Sequence, residues 1–126
     1  MSGNKGTIFV ADDHEGIRDL IVDLIPSGYN IEQFPTGDGL GKRLEGDVNN
    51  LKLVITDNDM GPGKTGVQVI REYAPGNPQV PFLLYCTPPN QEIRDIIQLP
   101  NVSYSPKLTS LPELRVTING LLEKSL

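Results

Sequence analysis

The sequence predicts an α/β fold of three layers, a parallel five-stranded sheet with five helices spread over its two faces. Continuous apolar runs such as Thr7-Ile8-Phe9-Val10-Ala11 and Leu51-Lys52-Leu53-Val54-Ile55-Thr56 have the pattern of strands buried on both sides. Segments with apolar residues at helical spacing alternate with these runs, and that alternation implies right-handed crossovers between parallel strands. The 126 residues suit one domain over 1–126, since compact domains most often hold about 100 to 150 residues, and leave no room for an output domain.

The first strand, Thr7 to Ala11, ends in Asp12 and Asp13. Ile17, Leu20, Ile21 and Leu24 then recur at helical spacing, and Pro26 and Gly28 stop the segment, so a helix is expected over Glu15 to Ile25. Tyr29 to Phe34 reads as the second strand, and a weaker helix follows around Leu40 to Leu44, cut by Gly46. Leu51 to Thr56 is the clearest strand, with Asp57 at its carboxyl end. Beyond a glycine-rich loop, Val67, Val69, Ile70 and Tyr73 predict a third helix closed by Ala74-Pro75-Gly76. Val80 to Cys86 forms the fourth strand, and Ile93, Ile96 and Ile97 mark a short helix after Pro88-Pro89. Val102 to Tyr104 is a brief fifth strand. Leu111, Leu114, Ile118, Leu121 and Leu122 carry the closing helix. The expected architecture is a flavodoxin-like sandwich with strand order 2-1-3-4-5, whose site lies outside the carboxyl ends of the strands where that order reverses. That rule gathers Asp12, Asp13, Asp57, Thr87 and Lys107.

Composition narrows the function. Eleven Lys plus Arg against 16 Asp plus Glu give a formal charge of -5, which repels phosphate backbones and anionic lipid heads, so no direct nucleic-acid partner and no membrane partner is expected. The lone cysteine, Cys86, sits among Leu84, Tyr85 and Thr87 and reads as a small core residue. No apolar run reaches the roughly 20 residues of a membrane span, and the start of the chain lacks the apolar centre of a secretory signal. A cytoplasmic location is the expectation.

Carboxylates gathered at one edge repel one another, and a hard cation is the cheapest remedy. Mg²⁺ (or Mn²⁺) fits, because it takes oxygen ligands, keeps several waters and shares its shell with one or two carboxylates and a phosphate. Asp13 and Asp57 offer direct oxygens and Asp12 a contact through water. A carboxylate beside such an ion can attack phosphorus, with Lys107 neutralising the transferring oxygens and the Thr87 hydroxyl bonding one of them.

The acidic pair Asp12-Asp13, Asp57 at the end of Leu-Val-Ile-Thr with Met60 three residues on, Thr87 after the fourth strand and Lys107 after the fifth together resemble the receiver domains of bacterial two-component response regulators. The resemblance runs over essentially the whole chain. It implies that Asp57 is the phosphoacceptor in a phosphorelay, fed by a sensor histidine kinase or phosphotransfer protein, and that an unidentified downstream protein reads the result. It further implies that Asp13, Asp57 and the Asp59 backbone carbonyl hold the metal, and that Thr87 and Tyr104 form a switch pair. A receiver promotes its own phosphorylation and turns over no separate substrate, so no enzyme is expected. Three features depart from the family. Met60-Gly61-Pro62 makes the loop before Gly66 one residue longer; Pro88-Pro89 removes two backbone donors beside the site; and Lys-Pro is inverted to Pro106-Lys107, so the cis peptide after the lysine is not carried over.

Each residue has a plainer reading. Asp12 and Asp13 can cap a helix N-terminus, Tyr104 can fill core, Lys107 can be a solvated surface lysine and Thr87 a turn cap. His14, the single histidine, reads as a first-turn surface residue with no role. The shared strand-end location favours function for the others. Gly63-Lys64-Thr65 sits where a nucleotide-binding loop would, yet Asn58 stands in place of its first glycine. Asp57-Asn58-Asp59 resembles the Asp-x-Asp opening of haloacid-dehalogenase-type phosphatases, whose remaining acids normally fall late in the chain, where this sequence has no acidic pair. A receiver-like binding module that no longer accepts phosphate is the third alternative.

Overall fold

In a computed structural model, residues 5–87, 90–107 and 109–124 are described. Ten elements alternate: β1 (Thr7–Ala11), α1 (Glu15–Leu24), β2 (Asn30–Phe34), α2 (Gly37–Leu44), β3 (Leu51–Thr56), α3 (Gly66–Tyr73), β4 (Phe82–Cys86), α4 (Gln91–Ile96), β5 (Val102–Pro106) and α5 (Leu111–Lys124). All strand pairs are parallel, in the order β2-β1-β3-β4-β5. The predicted fold class and strand order are those observed.

Alternation along the strands builds the three layers. Phe9, Ala11, Val54, Phe82 and Leu84 face one side, where Leu40 and Leu44 of α2, Val67 and Ile70 of α3 and Ile93 of α4 cover them. Ile8, Val10, Leu53, Ile55 and Leu83 face the other, against Ile21 and Leu24 of α1 and Leu114 and Ile118 of α5. Successive side chains point to opposite faces, so a central strand between two helical layers must be apolar throughout. β3 follows this over its inner residues, with Leu53, Val54 and Ile55 fully buried and Lys52 half-buried near its start.

Among the strands, two boundaries differ from expectation by more than one residue, each for an identifiable reason. The fourth strand starts at Phe82 rather than Val80, because Val80 closes a turn on Asn77 and its carbonyl is taken by the Asn101 side-chain amide, which also binds the carbonyls of Ala74 and Asn77. The fifth strand runs two residues past Tyr104 to Pro106, which pairs with Cys86. β5 is an edge strand, where the missing N–H of a proline costs no ladder bond.

The loop between β3 and α3 turns through two glycines with positive φ, Gly61 at 87° and Gly63 at 99°. Met60 is drawn into the core. The far end is pinned to α2: the Lys64 backbone N–H donates to the Asp38 carboxylate at 2.9 Å. A Cβ on Gly37 would meet the Lys64 carbonyl oxygen, so α2 and the loop approach as only glycine allows. Thr65 and Gln68 then form a reciprocal capping box that starts α3.

Candidate functional site

Backbone hydrogen bonds at the sheet's carboxyl edge set the site. The Asp12 N–H donates to the Phe34 carbonyl at 3.0 Å, the Asp57 N–H to that of Ala11 at 2.9 Å, and the Lys107 N–H to that of Cys86 at 2.9 Å. Each extends its ladder by one residue and leaves a charged side chain just past the last strand residue. Arg18 of α1 braces the same corner, donating to the Asp12 carbonyl and to the Gln33 side chain. On the far side the Tyr85 hydroxyl donates to the Lys107 carbonyl at 3.3 Å.

The side chains converge. Lys107 Nζ lies 2.9 Å from Asp57 Oδ2 and 3.4 Å from Asp12 Oδ2. The other Asp57 oxygen accepts the Asn58 N–H at 2.7 Å. Asp12 and Asp57 are buried, at 1% and 6% exposure. Burial pushes the Asp57 carboxyl above the usual aspartate value; the Lys107 hydrogen bond pulls it back, and the Asp12 charge pushes it up again. Burial alone would lower the Lys107 ammonium, yet its hydrogen bond to Asp57 and the charges of Asp57 and Asp12 outweigh that, and its value is raised. Burial is the main cause at Asp57, and a charge imbalance adds to it: two buried carboxylates share one ammonium. The ammonium gains twice, while the pair remains one positive charge short.

Asp12 Oδ2 is buried and faces only the Lys107 ammonium at 3.4 Å, with no well-formed hydrogen bond among the described residues, and so weakly compensated a carboxylate beside a charge deficit is what a cation would satisfy. The residues present therefore fit a divalent ion. Asp13 stands at the rim, 36% exposed. Asp59 is exposed and turns its side chain onto the Gly61 N–H at 3.2 Å. Among the described residues, the compact group of potential ligand atoms is Asp12, Asp13 and His14, all within 4.8 Å of one another. His14, to which sequence pattern assigns no role, thus stands with the acids, whereas Asp57 reaches them through Lys107.

Thr87 is exposed, directly after β4. Tyr104 is half-buried and its hydroxyl donates to the Thr87 carbonyl at 2.9 Å, with the Cys86 carbonyl at 3.4 Å. The ring is thus tied to the backbone of its predicted partner. Pro88 and Pro89 lie outside the described residues, as does the residue after Lys107; among the described residues no peptide bond is cis. Cys86 is buried, and burial pushes its thiol up to about 11, as a small core residue requires. The groups of the nucleotide-loop alternative are engaged elsewhere, Lys64 with Glu72 at 2.8 Å and the Thr65 hydroxyl as the α3 cap.

No family model and no curated protein matches the chain. Solved structures do. A CheY-like response regulator receiver domain protein from Methanospirillum hungatei aligns with a TM-score of 0.78 at 19% identity, covering 95% of each chain. A response regulator receiver protein from Sinorhizobium medicae gives 0.79 at 20% identity over 98% of each. A DNA-binding response regulator of the LuxR family from Staphylococcus aureus gives 0.75 at 26% identity, over 93% of this chain and 98% of that one. The chain has the fold of response regulator receiver domains over nearly its whole length. No helix among the described residues is long and apolar enough to cross a membrane.

Proposed function

We propose that this receiver-fold protein is a phosphoacceptor in a phosphorelay, taking a phosphoryl group onto Asp57. The observation that carries the reading is the contact of Lys107 with both buried acids, 2.9 Å from Asp57 and 3.4 Å from Asp12. Phosphoryl transfer asks a protein mainly for positioning and for charge opposite the transferring oxygens. In the proposed reaction an Asp57 oxygen attacks phosphorus as the bond to the donor's nitrogen breaks, the donor being a phosphohistidine of a sensor kinase or phosphotransfer protein. Lys107 holds the acceptor carboxylate oriented beforehand and then faces an anionic oxygen of the group it receives. Asp12, Asp13, Asp57 and the Asp59 backbone would hold Mg²⁺ or Mn²⁺, which when bound supplies the missing positive charge. Hydrolysis of the aspartyl phosphate resets the domain; no separate substrate is turned over.

Thr87 and Tyr104 serve as the readout. A phosphoryl oxygen that accepts the Thr87 hydroxyl displaces the same backbone whose carbonyl holds Tyr104, so the β4–β5 face changes for a downstream protein. Hydrogen bonds to charged groups are worth about 1.5 to 3 kcal/mol, enough to shift a two-state population roughly tenfold or more. Thr87→Ala is accordingly expected to accept phosphate yet leave Tyr104 unresponsive, as read by NMR with and without beryllofluoride; equal responses in both proteins would refute the coupling.

The function itself is tested by the intact mass after exposure to acetyl phosphate. One phosphoryl group per chain with Mg²⁺, and none with chelator, is expected. Asp13→Ala should sharply weaken Mg²⁺ binding in a calorimetric titration. Absence of any adduct under both conditions would favour the binding-module alternative, and continuous release of phosphate from a phosphatase substrate would favour the phosphatase.

A further inference from the structure

Both polar groups of the Lys107 backbone are held by consecutive residues of β4. Its N–H donates to the Cys86 carbonyl at 2.9 Å, and its carbonyl accepts the Tyr85 hydroxyl at 3.3 Å. Leu108 follows Lys107, so no proline ring restricts the lysine's own backbone, and these two bonds are its ties to the sheet. Tyr85 is buried in the layer covered by α1 and α5, two residues after Leu83 on the same face. An apolar side chain of that size would fill the position equally well, whereas a hydroxyl is costly to bury without a partner. Among the described residues, the Lys107 carbonyl is the partner it has. Burial raises the hydroxyl's pKa, the Lys107 charge lowers it and the Asp12 charge raises it again, so the hydroxyl lies within the field of the same charged corner.

We propose that Tyr85 is a positioning residue for phosphoryl uptake: its hydroxyl fixes the main chain of Lys107 at the depth from which the ammonium reaches Asp57 at 2.9 Å and Asp12 at 3.4 Å. Without the hydroxyl the Lys107 carbonyl loses that partner, and the lysine's flexible four-carbon stem magnifies any rotation of the backbone at the ammonium. A lysine that spends part of its time elsewhere leaves fewer chains poised for transfer, and the rate falls with that fraction. The effect on rate rests on the phosphoacceptor reading; the effect on Lys107 rests on geometry alone.

Tyr85→Phe removes the hydroxyl and keeps the ring, so the packing under α1 and α5 is preserved. Two readouts are taken on the whole chain. The first needs no phosphate. In ¹³C,¹⁵N spectra of the lysine side chains, the Lys107 ammonium, assigned by its absence from Lys107→Met, should stand apart in wild type and shift toward the exposed lysines in Tyr85→Phe. The second is the initial rate of mass gain with acetyl phosphate at saturating Mg²⁺, in which an Asp57 oxygen bonds phosphorus as the bond to acetate breaks. That rate should fall roughly threefold to tenfold, the worth of one hydrogen bond, with Mg²⁺ affinity changed less than about twofold. A Lys107 resonance that is the same in both proteins would overturn the proposal, and so would an unchanged rate. A slower rate accompanied by a large loss of Mg²⁺ affinity would overturn it as well, since Tyr85 would then support the acids rather than the lysine. If wild type takes up no phosphoryl group the phosphoacceptor reading fails, while the lysine spectra still decide whether Tyr85 positions Lys107.

Discussion

Asp57→Asn is expected to reduce Mg²⁺-dependent phosphoryl uptake to background while the domain stays folded. Asn lacks the nucleophilic carboxylate, yet its side-chain oxygen can still accept one of the two hydrogen bonds that Asp57 takes from Asn58 and Lys107. The effect on stability runs the other way. Folding raises the Asp57 value, chiefly through burial. The group's stabilising contribution is therefore fully present below its unfolded pKa and is lost as pH rises through the folded one. At neutral pH without metal the ionised Asp57 opposes folding, so the Asn variant should unfold at or above the wild-type temperature. Added Mg²⁺ should raise the wild-type midpoint more than the variant's. Mass spectrometry with acetyl phosphate and thermal unfolding at several pH values check both halves. Full phosphorylation of the variant would move the acceptor elsewhere, and a large loss of stability would make Asp57 a structural residue.

How far the sequence alone reaches depends on which physical signal each segment carries. β3 is legible because a strand between two helical layers must be apolar over its buried length, and Leu53-Val54-Ile55 is such a run, with Lys52 half-buried near its start. α2 is only half visible. Gly37, Gly39 and Gly41 are poor helix formers, and its first turn is set by the Thr36 cap and by the close approach of Gly37 to Lys64, both tertiary facts. The strand-end acids are legible because chain order fixes which strand ends meet. The position of Lys107 is less so, since the inverted Pro-Lys reaches the right depth only because Pro106 adds one more pair to β5. His14 is invisible to pattern: a lone histidine after a strand carries no periodicity, and only its distances to Asp12 and Asp13 set it apart. Tyr104 is legible only as an aromatic of the fifth strand; the tie from its hydroxyl to the Thr87 carbonyl is not. That bond depends on loop conformation, which residue types do not encode.

Lys107→Met is expected to be the most damaging single substitution at the site in metal-free buffer. The Lys107 side chain is 24% exposed and the side chains of Asp57 and Asp12 are 7% and 1% exposed, so the three form a largely buried cluster in which one ammonium serves two carboxylates. Removing one partner of a buried pair leaves charge uncompensated and typically costs about 3 to 5 kcal/mol, which for a domain of this size lowers the melting temperature on the order of 10 °C. The pH dependence separates this cause from lost packing. Without the ammonium, the Asp57 and Asp12 carboxyls are costlier still to ionise, so the variant's deficit should shrink on acidification, as protonation relieves the repulsion, and widen as pH rises toward neutral. In wild type the raised Lys107 value works at the other end: its contribution is complete below the ordinary lysine pKa and fades only as pH climbs through the folded one. A divalent ion should recover part of the variant's loss, because it brings the missing positive charge to the same corner, while Lys107→Arg should keep most of the stability. Thermal unfolding of the three proteins between acid and neutral pH, with and without Mg²⁺, reads all of this. A deficit that is constant with pH and indifferent to Mg²⁺ would mean that Lys107 acts through packing alone, and the electrostatic account of the site would then be wrong.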